Sequence, residues 1–233
     1  MSDFAAALSA MRVALQQAAS SLNDHSAIRP ESAPAPQISA PACEELTTQF
    51  ARELEALGGK ALVADSTREA FDAVVELART LGFKLVAVGD SATINLKPLG
   101  EALSHNGVAL LNTARVAEDD RRQVRARLAE CDAGIVEADY AVASSGTLVF
   151  VPTPARPRSL SLVPPTNVTF LRVERILPDL AALMSTLESS VVADNPIAFV
   201  TGPSRTADIE KRLVKGVHGP KALYVILVSS TDG

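Results

Sequence analysis

The residues of this chain best equipped for chemistry fall in two clusters. The first is Ser144-Ser145-Gly146-Thr147, followed by Arg156, Arg158, Ser159 and Ser161 within the run Ala138–Pro165. Hydroxyls around a glycine turn can hydrogen-bond the turn itself or a ligand. Arginines beside serines can hold a carboxylate or phosphate through charge-assisted bonds. The same residues also fit an ordinary hairpin whose hydroxyls satisfy their own backbone and whose arginines are solvated. The second cluster is Thr201–Ser204 with Thr206, Asp208, Glu210 and His218. A Gly/Ser loop leading from a strand into a helix would turn free N–H groups toward an anion at Gly202, Ser204 and Thr206. Asp208 or Glu210 then stands as a candidate general base, or as a group that positions a water, a hydroxyl or a metal. His218 is a third catalytic candidate, and a structural histidine fits it equally. The two acids complement a helix dipole but compete with bound phosphate.

The elements that must position these clusters follow from periodicity. Thr147–Val151 is almost wholly apolar and β-rich, and it pairs with the run from Asp139 to Ala143 across the Ser-Ser-Gly turn. A loop with the two arginines follows, and then a strand over 167–173. A helix starts near Pro178, and Ile197–Val200 is a strand leading into the second cluster, where Thr206 opens a helix. Upstream, 61–64, 84–88 and 108–111 read as strands and 44–57, 96–104 and 119–130 as helices. Ser66 and Glu69 have capping-box spacing ahead of a helix closed by Gly82. The last run, Ala222–Val228, is continuously apolar, as expected of a strand buried on both faces. Asp90 and Ser91 fall just past a strand, where ligands of open α/β sheets bind, although turn chemistry explains them. Strands alternating with helices predict a three-layer α/β/α sandwich with a mixed, mostly parallel sheet, the hairpin supplying the mixed part. Residues 1–23 read as an amphipathic helix with Phe4, Leu8, Met11, Leu15 and Leu22 on one face. Residues 24–42 read as a Pro-rich linker and 43–233 as the α/β domain.

Composition narrows the function. With 47% apolar residues the chain can bury a real core, and with 4% aromatics and no Trp that core must be Ala, Val and Leu. A net charge of −5 without a basic run argues against nucleic acid. Two cysteines, Cys43 and Cys131, cannot hold an iron–sulfur cluster on Cys ligands alone, and no metal site is expected. There is no secretory signal and no stretch apolar enough to span a bilayer, so a cytoplasmic protein is expected. Neither a P-loop lysine nor a G-x-G-x-x-G after the first strand is present.

The strings ADYAVASSGTLVF, RSLSLVPPTNV and TGPSRTADIEKRLVKGVHGP resemble the lactate utilization protein C (LutC/YkgG-like) family, the LUD domain, from about Glu44 onward. The resemblance implies a fold like the NagB/RpiA/CoA-transferase group. It also implies a role in oxidising L-lactate to pyruvate beside an iron–sulfur subunit and a Cys-rich-domain subunit, with the clusters on those partners and no cofactor in this chain. Family members carry an acid, E-T-G-T or similar, where this chain has Ser144. A serine cannot form the acyl-anhydride of a CoA-transferase glutamate, so that activity is not expected. The resulting expectation is a subunit without a redox centre that binds a small carboxylate or other anion. Arg158 would pair with the carboxylate and Ser145 and Thr147 with the neighbouring oxygen. The alternatives are a stand-alone enzyme of the same fold group, acting on a small phosphorylated or carboxylated substrate, and a purely structural adaptor.

Overall fold

In the computed structural model, residues 40–113, 121–153, 156–189, 197–207, 213–215 and 219–229 are described. The expected helix over 1–23 and most of the linker lie outside them. Helix α1 (Ala40–Ala56) begins inside the stretch read as linker, with Pro41 in the first turn, where a missing N–H breaks no helical hydrogen bond. It buries Phe50 and Leu54 completely. Strand β1 (Lys60–Ala64) follows, then helix α2 (Thr67–Leu81) and strand β2 (Leu85–Val88). The capping box forms: Glu69 N–H donates to Ser66 Oγ, and the Glu69 carboxylate accepts from Asp65 N–H, one residue upstream of the cap.

Helix α3 (Lys97–His105), strand β3 (Ala109–Asn112), helix α4 (Arg121–Ala129) and strand β4 (Ala133–Glu137) continue the alternation. The hairpin strands are β5 (Tyr140–Val142) and β6 (Thr147–Phe150), joined by a 3-10 turn at Ala143–Ser145. Between β6 and strand β7 (Thr166–Arg172), the segment read as a loop contains a short helix, α5 (Arg158–Leu162). Strand β8 (Ile176–Leu177), helix α6 (Leu180–Ser189) and strand β9 (Ala198–Val200) follow. The chain closes with β10 (Arg205–Ala207), β11 (Leu213–Lys215) and β12 (Ala222–Val228).

Two of these elements correct the sequence reading. The six-stranded sheet, in the order β1-β12-β7-β4-β2-β3, is parallel throughout. The hairpin is not part of it but belongs to a second sheet, β8-β5-β6-β9, which carries the antiparallel pairs. The helix expected at Thr206 is instead the start of an antiparallel ribbon, with Thr206 opposite Val214. Thr206 and Val214 are β-branched, and both fit an extended ladder at least as well as a helix.

The layers follow from which side chains meet. Ile135, Val168, Phe170 and Val228 on one face of the parallel sheet share a core with Ala70 and Val74 of α2 and Leu99 and Leu103 of α3. On the other face Val136, Leu171 and Leu227 meet Phe50 and Leu54 of α1, Leu128 of α4 and Leu160 of α5. Leu148, Phe150 and Ile176 of the second sheet join that same core, and α6 covers the second sheet's outer side through Leu183 and Leu187. Gly134 is required by this stacking, since a Cβ there would lie 2.2 Å from the Leu160 carbonyl oxygen. The α5 backbone therefore rests directly on β4.

Candidate functional site

Strand order locates the crevice where ligands of such sheets bind. From β2 the chain moves outward to the edge strand β3, and from β4 it moves the other way toward β7. The carboxyl ends of β2 and β4 therefore flank the topological switch point. Glu137, the last residue of β4, is 3% exposed there. Its carboxylate accepts from Ala92 N–H (2.9 Å), Thr93 N–H (3.2 Å) and the hydroxyls of Ser91 and Thr93. Ser91 Oγ in turn accepts from Ile94 N–H at 3.0 Å, and Asp90 accepts from Ser91 N–H at 3.0 Å. The loop after β2 is thus wrapped around one buried carboxylate, which compensates the charge with four donors. Asp90 serves its own turn, as the sequence allowed, whereas Ser91 also belongs to the Glu137 clamp.

Arg156 locks the other side. It is 7% exposed, and its guanidinium donates to the Glu137 carbonyl (3.1 Å), the Asp139 carboxylate (2.6 Å) and the Val151 carbonyl (3.1 Å). Asp139 also accepts from Val151 N–H at 2.6 Å. Burial is the largest influence on the Asp139 carboxyl and pushes it up, while the Arg156 charge and the Val151 N–H pull it back. Arg156 is therefore a buried strut rather than a solvated residue or a ligand hand.

The residues expected to bind an anion do not converge in this way. Arg158 is exposed at the start of α5, and Ser159 beside it is half-buried. Ser161 is 2% exposed and donates its hydroxyl to the Arg158 carbonyl at 3.1 Å, so it is consumed in the helix. Ser144 and Ser145 are exposed. The Ser145 hydroxyl meets Thr147 Oγ1 at 2.8 Å, and Thr147 Oγ1 meets Thr201 Oγ1 at 2.8 Å, a hydroxyl row joining the first cluster to the second. Gly146 stands at φ +59°, and a Cβ on it would lie 2.5 Å from Leu54 N. This turn is seated on the last turns of α1, just before the chain enters β1, whereas Glu137 lies at the strands' carboxyl ends. Ser204 N–H donates to the Pro220 carbonyl at 2.9 Å, and Gly202 packs on Leu57. With Thr206 in a strand, the helix start expected after Gly202 and Ser204 is not found among the described residues. Asp208, Glu210 and His218 lie outside the described residues.

Glu137 and Thr93 escaped the sequence reading. The available signal was an acid closing the otherwise uncharged run Ala133–Val136, which places a carboxylate at the carboxyl edge of a buried parallel strand.

Comparison with known proteins agrees with this architecture. A protein-family model described as LUD domain matches residues 47–228. The uncharacterized protein YkgG of Escherichia coli K12 is 33% identical over 168 residues, 70% of this chain and 71% of that protein. Lactate utilization protein C of Bacillus pumilus is 36% identical over 136 residues, 56% of this chain and 55% of that protein. The alignment thus spans only about half of the latter's length. The crystal structure of a DUF162 family protein from Deinococcus radiodurans superposes with a TM-score of 0.57 at 19% identity, covering 80% of this chain and 98% of that one, and shares the fold. The chain belongs to the LUD domain family.

Proposed function

We propose that this chain serves L-lactate utilisation as a component that carries no redox centre and binds a small anionic ligand. The observation that supports this reading is the similarity to lactate utilization protein C, at 36% identity over 136 residues. The two cysteines of this chain fit no cluster: Cys131 is buried just after α4 with its thiol on the Arg127 carbonyl, and Cys43 lies separately in α1. Oxidation of lactate to pyruvate needs an acceptor for two electrons, which no side chain here supplies. In this reading the acceptor sits on iron–sulfur and Cys-rich-domain partner subunits. No described helix is long and apolar enough to cross a membrane.

The test is an anaerobic pull-down of the tagged chain from native extract, assayed for iron and for L-lactate-dependent dye reduction. Iron and activity that co-elute with the chain, and fall when it is deleted, are the expected result. An iron-free, inactive eluate would overturn the reading. It would favour a stand-alone enzyme acting on a small carboxylated substrate at the carboxyl edge, where Glu137 is buried. The phosphate site imagined for such an enzyme at Thr206 has lost its helix.

A further inference from the structure

Every buried polar group described so far is amply satisfied, and Arg172 is the contrast. It is the last residue of β7, opposite Val228 of β12, and Phe170 two residues earlier lies opposite Glu137. Paired residues of parallel strands share a face and alternate residues return to it. Arg172 therefore leaves the sheet at the same edge and on the same face as Glu137, the face covered by α2 and α3. Its side chain is 11% exposed. One edge of the guanidinium is engaged, with Nε and Nη2 donating to Glu174 at 2.7 and 2.6 Å. Nη1 is buried and has no hydrogen-bond partner among the described residues, and it is the one buried side-chain nitrogen or oxygen there in that condition. Burying a charged donor without an acceptor is unfavourable enough that such groups mark a bound ion, water or ligand.

We propose that Arg172 is the recognition group of a small-monocarboxylate site at the carboxyl edge of the parallel sheet. With Nε and Nη2 held by Glu174, the Nη1–Nη2 edge of the fork remains, and its two parallel N–H groups match the two oxygens of a carboxylate. Glu174 already neutralises the guanidinium, and Glu137 places a second carboxylate on the same face. A guanidinium already paired with Glu174 offers directed N–H groups rather than surplus positive charge, which disfavours a dianion such as hydrogen phosphate more than a monoanion. The site deepens the functional reading above by naming the group that holds the carboxylate, and it rests on that reading only for the identity of the physiological ligand.

The test is calorimetric titration of the full chain with sodium acetate, sodium L-lactate and inorganic phosphate at matched ionic strength. Wild type, Arg172→Lys and Arg158→Ala are compared, with the Arg172 side-chain ¹⁵N resonances of wild type followed by NMR. Monocarboxylates are expected to bind in preference to phosphate and to shift the Arg172 resonances. Arg172→Lys should weaken them about tenfold or more, because a lysine cannot reproduce the fork, and Arg158→Ala should leave them unchanged. The NMR shift on wild type stands even if the Arg172 variant fails to fold. Carboxylate binding that leaves the Arg172 resonances still, a preference for phosphate, or no binding by wild type would each overturn the site. None of these outcomes alters the pull-down, so failure here and failure of the lactate reading are separable.

Discussion

The molecule carries two polar assemblies built on different physics. At the carboxyl edge, a buried carboxylate and a buried guanidinium hold three segments: Glu137 takes Ser91, Ala92 and Thr93, and Arg156 takes Asp139 and the Glu137 and Val151 carbonyls. At the hairpin turn, neutral hydroxyls of Ser145, Thr147 and Thr201 touch in a row, and two of the three residues are exposed. In the first assembly any missing partner strands a charge away from water. In the second, water can replace most of what is lost. The carboxyl edge is therefore the rigid part of the candidate site, and the hydroxyl turn is held by sterics, through Gly146 on α1, more than by hydrogen bonds.

Substitutions can break that comparison. The largest effect is expected from Arg156→Ala, which leaves the buried Asp139 carboxylate without its cation, on the Val151 N–H alone, strips two carbonyls of the guanidinium and should lower stability by about 3–5 kcal/mol in chemical denaturation. A loss below about 1 kcal/mol would show the strut to be dispensable. Gly146→Ala should cost about 2–4 kcal/mol, combining a left-handed φ with a backbone clash against Leu54, without altering hydrogen exchange at Ala92 and Thr93. Glu137→Gln reverses that signature: it should cost a comparable amount, about 2–4 kcal/mol, and speed exchange at Ala92 and Thr93, because an amide NH2 faces donors where an oxygen accepted them. If both variants perturbed both regions alike, the two assemblies would be one cooperative unit.

Smaller effects sharpen the same picture. Burial pushes the Cys131 thiol up to about 11, with Asp132 adding to it. The unfolded chain ionises near the ordinary value while the folded chain keeps its proton. The contribution to stability is therefore complete below the ordinary thiol range and is lost as pH rises through it toward about 11, by about 2–3 kcal/mol in all. Unfolding free energies of wild type and Cys131→Ala between pH 8 and 11 should differ in slope in that sense, and equal slopes would remove the thiol from the balance. Smallest of all, Thr147→Val removes the middle hydroxyl of the row and should cost about 1 kcal/mol, since Ser145 and Thr201 can turn to water. A loss of several kcal/mol would mean that the row is buried more effectively than its exposed ends indicate.

Legibility followed the range of the interaction. The capping box at Ser66–Glu69, the αL cap at Gly82 and the apolar runs of β2, β6 and β12 are local, and each was readable from a few neighbouring residues. The motif strings around Ser144–Thr147 and Thr201–Pro220 led to the family. The helix expected at Thr206 failed because capping residues and a β-branched ladder look alike in a short window, and pairing with Val214 decided between them. Arg156 and Arg158 are two residues apart with the same chemistry. One is buried and one exposed because the short α5 rests on Gly134 and turns the chain between them, which no residue pattern announces.

Composition and periodicity by themselves determined an α/β chain with an aliphatic core and most of its alternation of strands and helices, and the motif strings carried its likeness to the LUD domain. These depend on side-chain volume, alternation and turn chemistry, all encoded within a few residues. Only the tertiary structure decided that the hairpin leaves the main sheet, that β2 and β4 flank the switch point, and that Glu137, Arg156 and Arg172 gather at its carboxyl edge. Those facts arise from pairing between segments many residues apart, where burial sets whether a charge is a strut, a clamp or a solvated group.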